Sequence, residues 1–173
     1  MPNILVIGSG KSGIGACKLA STKKYNVRLT DSKKIALETQ ELLRSINVSF
    51  EEGSHSNSNL KWADEIIISP GVSDKIEFVQ LAKKMGISII SEIEFASQFT
   101  DSVIIGVTGT NGKTTTSSLL YHILKAANYD VRLCGNIGVS FSELIVTNPG
   151  KIYVVEISSF QLENTHRFKP NIS

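Results

Sequence analysis

The stretch VIIGVTGTNGKTTTSS, at residues 103–118, decides how this chain is expected to fold. Its apolar first half has the character of a buried strand and stops at a glycine-rich turn. The turn leads directly into Lys113, Thr114 and a helix-like segment. Such a turn points backbone N–H groups and a helix N-terminus at one spot, which favours a phosphate. The stretch therefore predicts a nucleoside triphosphate site at a strand–helix junction.

We call GTNGKTTT, residues 109–116, the phosphate loop. It is not a strict Walker A motif, because Val107 stands where that motif needs its first glycine. Lys113 supplies a positive charge that can reach the outer phosphates, and the Thr114 hydroxyl can ligate Mg²⁺. The alternative is an ordinary Gly-Asn turn before a helix. We expect the nucleotide to be bound by Gly109, Thr110, Asn111, Gly112, Lys113, Thr114 and Thr115.

Length and composition exclude several classes of protein. The 173 residues suffice for one ordinary domain or two small ones, and 41% apolar residues suit a globular core. A net charge of +2, from 18 basic and 16 acidic residues, is too balanced to indicate nucleic acid or a membrane surface as partner. No apolar run approaches the ~20 residues of a membrane span, and the N-terminus lacks signal-peptide features.

The cysteines and histidines give no metal-binding pattern. Cys17 and Cys134 lie far apart, and we expect them to be reduced core thiols of a cytoplasmic protein. His55, His122 and His166 lack the spacing of zinc ligands, so we expect surface or partly packed side chains.

Strand-like and helix-like segments alternate along the chain, which is typical of an α/β fold with a parallel sheet covered on both faces. In a first unit, residues 1–90, we expect strands at 3–8, 26–31, 48–50, 65–69 and 87–90, helices at 12–24, 34–46 and 74–85, and a polar loop at 55–59. In a second unit, residues 91–173, we expect strands at 103–108, 131–134 and 151–157, helices at 113–127, 140–145 and 158–166, and a strand that starts at 170–173.

Two details of the second unit matter later. Within its first long helix, Leu119, Leu120, Ile123 and Leu124 are spaced for one buried face. The unit is also short for a nucleotide-binding α/β domain, which usually has ~100–150 residues. We therefore expect it to be incomplete.

A second glycine-rich turn, GSGKSG at residues 8–13, follows the first strand and opens a helix. Asp31 ends the second strand, where a Rossmann protein keeps the acid that binds a ribose. Taken alone, these residues favour NAD. The alternative is a tight turn whose glycines serve only close packing.

Ser69, Pro70 and Gly71 follow another buried strand of the first unit. In an open α/β sheet, ligands bind outside the carboxyl ends of the strands. The turn at 8–13, Asp31 and this Ser-Pro-Gly turn would all lie at that edge, which predicts a ligand crevice there.

Glu156 ends the strand-like run KIYVVEI, beside the predicted phosphate loop. A carboxylate in that place can hold Mg²⁺, directly or through water. The alternative is that it caps the helix that follows. Asn136, in the turn GNIG at 135–138, lies at the same edge and is a candidate ligand contact.

Taken together, GTNGKTTT, GNIG and EISSFQLE (156–163) resemble the Mur ligase family, and GSGKSG and SPGV (69–72) match the first domain of its members. The EISSFQLE run favours the D-glutamate-adding branch. The resemblance implies a Rossmann-like UDP-substrate-binding domain at 1–90. It also implies the start of a P-loop-type ATP-binding domain at 91–173, truncated before a downstream histidine and a carbamylated lysine.

The resemblance also implies an activity and a set of roles. ATP and Mg²⁺ would be the cofactors, and UDP-N-acetylmuramoyl-L-alanine and D-glutamate the substrates of a ligase that works through an acyl phosphate. Lys113 and Glu156 would be catalytic, and Thr114 and Glu156 would organise Mg²⁺. The UDP-sugar would be bound by Gly10, Ser12, Gly13, Asp31, Ser69, Pro70, Gly71, Asn136 and Ser158, with Asp31 recognising uracil.

Two other functions stay open at this point. The chain could be a non-catalytic UDP-sugar-binding or nucleotide-binding module, since the catalytic set is incomplete. An NAD-dependent oxidoreductase would explain the first glycine-rich turn and Asp31, but not the Lys113 loop or EISSFQLE. For the full-length protein we expect a monomer with neither nucleic acid nor a membrane span.

Overall fold

A computed structural model describes Met1–Ser173, in which strands and helices alternate as two α/β units. The first unit contains β1 (Asn3–Ile7), α1 (Lys11–Thr22), β2 (Asn26–Asp31), α2 (Leu37–Ser45), β3 (Ser49–Glu52), α3 (Asn57–Trp62), β4 (Glu65–Ile68), α4 (Glu77–Lys84) and β5 (Ser88–Ser91). The second contains α5 (Glu92–Ser97), β6 (Val103–Val107), α6 (Lys113–Ala126), β7 (Val131–Gly135), α7 (Phe141–Thr147), β8 (Ile152–Glu156) and α8 (Ser159–Glu163).

The first sheet is parallel throughout, in the order β3-β2-β1-β4-β5. The central strand β1 pairs with β2 on one side and β4 on the other, so Ile4 lies beside both Val27 and Glu65. The strand order reverses between β1 and β4, and in open α/β sheets ligands bind at such a switch point. The predicted parallel α/β architecture is confirmed.

The second sheet has the order β6-β8-β7 and is also parallel. Beyond β6 the chain adds a further pairing, because the backbone N–H of Gly106 donates to the Ile172 carbonyl at 2.8 Å. A parallel bridge joins Ile105 and Ile172. The strand predicted to start at 170–173 therefore begins at the free edge of this sheet.

The two units share one hydrophobic core. Buried residues of α1, such as Cys17 and Leu19, belong to the same cluster as Phe141 of α7 and Tyr153 of β8. A second cluster, formed around Leu5, Ile66 and Val79, fills the opposite face of the first sheet. Because α1 packs on both units, the edges of the two sheets are held in a fixed relation.

Two sequence expectations about helices are wrong. Residues 57–62 form helix α3 rather than part of a polar loop, because Leu60 is buried and Asn59 donates to the Glu51 carboxylate at 2.6 Å. The second correction concerns α6, where Leu119 and Ile123 are 60% and 56% exposed. Leu120 and Leu124 are only half-buried. The spacing of these four residues indicates an apolar stripe along one face of α6, but the neighbouring sheet covers only part of that stripe.

The predicted helix at 158–166 ends early, at Glu163. The buried carboxylate of Glu94 accepts backbone N–H groups from residues 166, 167 and 168, at 2.9, 3.0 and 2.8 Å from Oε2. These amides point into α5 rather than along a helix axis, which explains the early end.

Cys17 and Cys134 are free and buried, as expected, and burial raises the pKa of both thiols. Acidic, histidine and cysteine side chains nowhere gather in a group of three that could hold a metal ion. None of the helices is both long and apolar enough to span a bilayer.

Candidate nucleotide and substrate site

A cavity of about 580 Å³ opens at the carboxyl edge of the first sheet and extends to the second unit. Seven residues singled out in the sequence line it: Gly10, Ser12, Asp31, Ser69, Pro70, Gly71 and Asn136. Gly13 and Ser158 do not. The structure therefore brings the three turns of the first unit together and adds the GNIG turn of the second unit as one wall.

Gly8 and Gly13 shape the floor of this cavity. Gly8 has φ +98°, and a Cβ on Gly13 would lie 1.9 Å from the Gly8 carbonyl oxygen. The Ser69 hydroxyl donates to the same carbonyl at 3.1 Å. Gly13 therefore allows α1 to begin close to the turn, which is a packing role beneath the cavity rather than a place in its lining.

Helix α1 directs its first turn at the cavity. Its N-cap residue is Gly10, which has no side chain to cap the helix, and no acidic residue lies in the first turn. The first amides of a helix have no partner within it, so they are available to an anion. The 12-residue helix thus presents backbone donors where the sequence placed a phosphate.

Asp31 connects the end of β2 with the first glycine-rich turn. Its Oδ2 accepts the Ser9 amide at 2.7 Å and the Ser9 hydroxyl at 2.6 Å, and its Oδ1 accepts the Lys33 amide at 2.9 Å. Burial alone would raise the pKa of Asp31, but these hydrogen bonds and the nearby His55 lower it below its ordinary value. The carboxylate is therefore charged at neutral pH and fixes the turn.

The phosphate loop joins β6 to α6 through glycines with positive φ. Gly109 has φ +143° and Gly112, the N-cap of α6, has φ +75°. The Lys113 ammonium donates to the carbonyls of Gly109, at 2.7 Å, and Thr110, at 3.3 Å. Its positive charge therefore lies over the loop, next to the free amides at the start of α6.

Glu156, at the end of the central strand β8, accepts hydrogen bonds from two side chains that belong to other parts of the chain. It is 1% exposed, Thr114 donates to its Oε2 at 2.8 Å, and Asn136 donates from Nδ2 to its Oε1 at 3.0 Å. Because β8 lies between β6 and β7, it places Glu156 between the phosphate loop and the GNIG turn. The alternative that Glu156 caps α8 is wrong.

Ser158 forms the cap of α8 instead. Its hydroxyl accepts the Gln161 amide at 3.3 Å, and the Gln161 side chain accepts the Ser158 amide at 2.9 Å. This reciprocal capping box begins the helix within EISSFQLE. The structure uses Ser158 locally, and its contact with a UDP-sugar stays a prediction.

Among the other residues that line the cavity, sequence reasoning assigned no role to Lys11, Lys33 or His55. Lys11 lies inside the GSGKSG turn, and its ammonium reaches the Gly138 carbonyl of the second unit at 3.4 Å. His55 follows β3 in a polar stretch without periodicity, so no local signal marks it.

Two family descriptions match successive parts of the chain. "Mur ligase MurD-like, N-terminal domain" matches residues 2–91, and "Mur ligase middle domain" matches residues 107–172. The first match alone covers more than half of the chain. The chain belongs to the Mur ligase family. Its Mur ligase motifs lie in both matched ranges, from the first glycine-rich turn to EISSFQLE.

Curated relatives carry the same assignment. The UDP-N-acetylmuramoylalanine–D-glutamate ligase of Bacteroides thetaiotaomicron is 42% identical over 173 residues, all of this chain and 39% of the relative. The ligase of that name from Porphyromonas gingivalis W83 is 43% identical over 171 residues, 99% of this chain and 38% of the relative. The chain thus spans about two fifths of the length of these Mur ligases.

Solved Mur ligase structures share the fold. UDP-N-acetylmuramate:L-alanyl-γ-D-glutamyl-meso-diaminopimelate ligase from Neisseria meningitides superposes with a TM-score of 0.58 at 23% identity, over 90% of this chain and 52% of that one. MurC from Thermotoga maritima gives a TM-score of 0.56 at 20% identity, over 91% of this chain and 37% of that one.

Proposed function

We propose that this chain binds ATP and a UDP-sugar as part of a ligase that joins D-glutamate to UDP-N-acetylmuramoyl-L-alanine for peptidoglycan synthesis. The relatives of that name and the two matched family domains support the assignment. We place the domain boundary near residue 90, with UDP-sugar binding before it and ATP binding after it. Two buried free thiols suit the reducing cytoplasm.

One residue carries the proposal, because it belongs to both candidate sites. Asn136 lines the 580 Å³ cavity, while its side chain holds the Glu156 carboxylate beside Thr114. Its backbone N–H also donates to the Glu156 carbonyl at 2.9 Å. A ligand in the cavity would therefore end close to a nucleotide on the phosphate loop, as phosphoryl transfer between the two requires.

The phosphate-loop residues fit ATP with Mg²⁺. A threonine hydroxyl and a carboxylate are oxygen ligands of the kind that Mg²⁺ prefers, and this cation keeps several waters and substrate phosphates as further ligands. Thr114 and Glu156 would hold it, and Mg²⁺ would neutralise phosphate charge when bound. Lys113 would contact the β- and γ-phosphates, and the backbone of Gly109–Thr115 would cradle them.

The cavity fits a UDP-sugar in size, and its polar residues are arranged so that different parts of the lining can contact the diphosphate, the uracil and the sugar. Ligand pockets of about 300–1,000 Å³ are usual, so 580 Å³ suffices for a nucleotide sugar. The first turn of α1, with Gly10 and Ser12, would bind the diphosphate, and Asp31 would recognise uracil. Ser69, Pro70 and Gly71 would line the opposite wall, and Asn136 and Ser158 would approach the sugar.

The proposed reaction has two steps. The substrate carboxylate attacks the γ-phosphorus of ATP, so that a new C(O)O–P bond forms as the bond to ADP breaks. The D-glutamate amine then attacks the acyl carbon, loses a proton, and expels inorganic phosphate to give the amide. This chain contributes positioning and charge neutralisation to the first step through Lys113, Thr114 and Glu156.

An NAD-dependent oxidoreductase is not retained, because Mur ligase membership accounts for the GSGKSG turn, Asp31 and the phosphate loop together. A non-catalytic binding module describes the same sites without turnover. We expect a monomer in solution for the full-length protein.

Calorimetric titration of the chain with UDP-N-acetylmuramoyl-L-alanine, Mg·ATP and NAD tests the proposal. We expect the first two ligands to bind and NAD to give no heat. Binding of NAD without the UDP-sugar would overturn the assignment. A protein extended to the relatives' length that binds both ligands yet never releases phosphate on addition of D-glutamate would leave only the binding module.

A further inference from the structure

His55 lies where the main cavity meets a second one. It lines the 580 Å³ cavity together with Asp31 and Ser32. It also lines an adjoining cavity of about 440 Å³, whose walls include Ser32, Ile76 and Phe78. The imidazole therefore lies between the two cavities, next to the part of the larger one that contains Asp31. A ligand that extends from the start of α1 past Asp31 would meet this ring.

The ring is held rigidly on one face and one edge. It stacks on Phe78 with centroids 4.9 Å apart and planes 22° apart. Its Nδ1 is 2.8 Å from the hydroxyl of Thr30, a fully buried residue of β2. The Thr30 hydroxyl is in turn 3.1 Å from the Ser54 carbonyl. No protein atom hydrogen-bonds Nε2, so that edge is available to a ligand.

The surroundings of His55 suit a neutral, flat partner. Burial lowers the pKa of the imidazole, and the opposing charges of Asp31 and Glu51 offset only part of that shift. The ring is therefore uncharged at neutral pH, and it adds no attraction for phosphate. A neutral imidazole offers one hydrogen-bond donor or acceptor at Nε2 beside an aromatic face, which are the groups that recognise a nucleobase.

The groups that line the cavity distinguish an anion-binding end at α1 from an aromatic end at His55, and Lys33, close to Asp31, is a second cation of the lining. Lys11 and the free amides of α1 lie at the start of that helix, next to the second unit. Asp31 and His55 lie at the end of β2 and after β3, farther along the same sheet edge. A nucleoside diphosphate bound with its phosphates at α1 would direct its base toward His55.

We propose that His55 reads the base of the bound nucleotide, as a specificity-determining residue that contacts the pyrimidine through Nε2 and its open ring face. This inference rests on the proposed function, because it assumes a uridine nucleotide in the cavity. Phe78 and Thr30 act as positioning residues that fix the imidazole.

The test compares UDP binding by the wild-type chain, His55→Ala and the matched control His122→Ala, whose histidine is exposed on α6 outside the cavity. Removal of one base-stacking side chain costs about 1–3 kcal/mol, so we expect UDP affinity to fall roughly 5- to 150-fold in His55→Ala alone. Inorganic pyrophosphate, which has no base, should compete with UDP equally well in all three. In the wild type, saturating UDP should shift the His55 ring resonances.

Each other result overturns the inference. UDP affinity within twofold of wild type in His55→Ala would show that the ring makes no useful contact. An equal loss of pyrophosphate binding would mean that His55 only shapes the loop. If His55→Ala does not fold, unmoved His55 resonances in the UDP-saturated wild type would decide against it. A folded wild-type chain that binds no UDP would reject the proposed function together with this inference. UDP binding that does not depend on His55 would reject this inference alone.

Discussion

Gly15 of α1 lies directly against Ser140 at the start of α7, so closely that a Cβ on Gly15 would be 1.9 Å from the Ser140 hydroxyl oxygen. This contact joins the two units. A salt bridge of 2.5 Å between Lys18 and Glu143 reinforces it one helical turn further along α1. Because the candidate site takes Asn136 from one unit and Ser12 from the other, this packing fixes the geometry of the site.

Replacing Gly15 with alanine should therefore destabilise the chain. Overpacking of a core contact typically costs 1–3 kcal/mol, and for a chain of this size each kcal/mol lowers Tm by about 2–4 °C. Thermal unfolding followed by circular dichroism measures the effect. Gly71→Ala is the matched control, because nothing lies within 4 Å of its Cβ position. Equal Tm values for the two variants would contradict the proposed close packing.

Glu92 should make stability depend on pH. Its carboxylate is 1% exposed, accepts the Ser142 amide at 2.5 Å through Oε1, and has no partner at Oε2. Burial raises its pKa to about 7 from an ordinary value of 4.5, with the hydrogen bond from the Ser142 amide opposing the shift. Between these values the folded chain holds a proton that the unfolded chain has lost. This group's contribution to stability therefore falls as pH rises from about 4.5 to 7.

Glu92→Gln keeps an acceptor for Ser142 and removes the titration. We expect its stability relative to wild type to increase from pH 5 to pH 8, as measured by urea unfolding at several pH values. Taking the difference between the two proteins cancels other groups such as His55, whose lowered pKa acts in the opposite direction. A difference that does not change with pH would show that Glu92 does not titrate in this range.

Glu94→Ala should release the segment after α8. The carboxylate accepts three consecutive backbone amides, at residues 166–168, and its loss leaves these donors without an acceptor. An unsatisfied group costs about 1–3 kcal/mol when it is fully buried, and water can reach residues 166 and 167, so we expect a loss of about 1–3 kcal/mol in total and faster hydrogen exchange at those amides. Glu41→Ala, an exposed change on α2, is the control. Unchanged exchange at 166–168 would refute this anchoring role.

Lys113→Ala should abolish ATP turnover in a protein extended to the relatives' full length. The ammonium is the only positive charge of the phosphate loop, and in the proposed reaction it would face a triphosphate and a reacting carboxylate that are both negative. Phosphate release on addition of both substrates measures turnover. Lys125→Ala, on the same helix but at its far end, is the matched control. Near-normal turnover in Lys113→Ala would remove the lysine from the mechanism.

Local sequence was sufficient for the elements whose signals are strong. The strands of both sheets read as short apolar runs that end at glycine, proline or acidic residues, and all eight were expected within a few residues. Helix α3 was missed because its single buried apolar residue, Leu60, produces no periodicity. The exposed side of α6 was misjudged because spacing identifies an apolar stripe but not how much of it a neighbouring sheet covers.

The amino-acid sequence by itself determined the α/β alternation, the phosphate loop and the family, because glycine turns, strand ends and helix starts are encoded by adjacent residues. Only the tertiary structure decided that Asn136 joins the cavity to Glu156, that Ser158 caps α8, and that His55 ends the cavity. These relationships connect residues far apart in the chain. They depend on strand order and on the packing of α1 against α7, which no local pattern specifies.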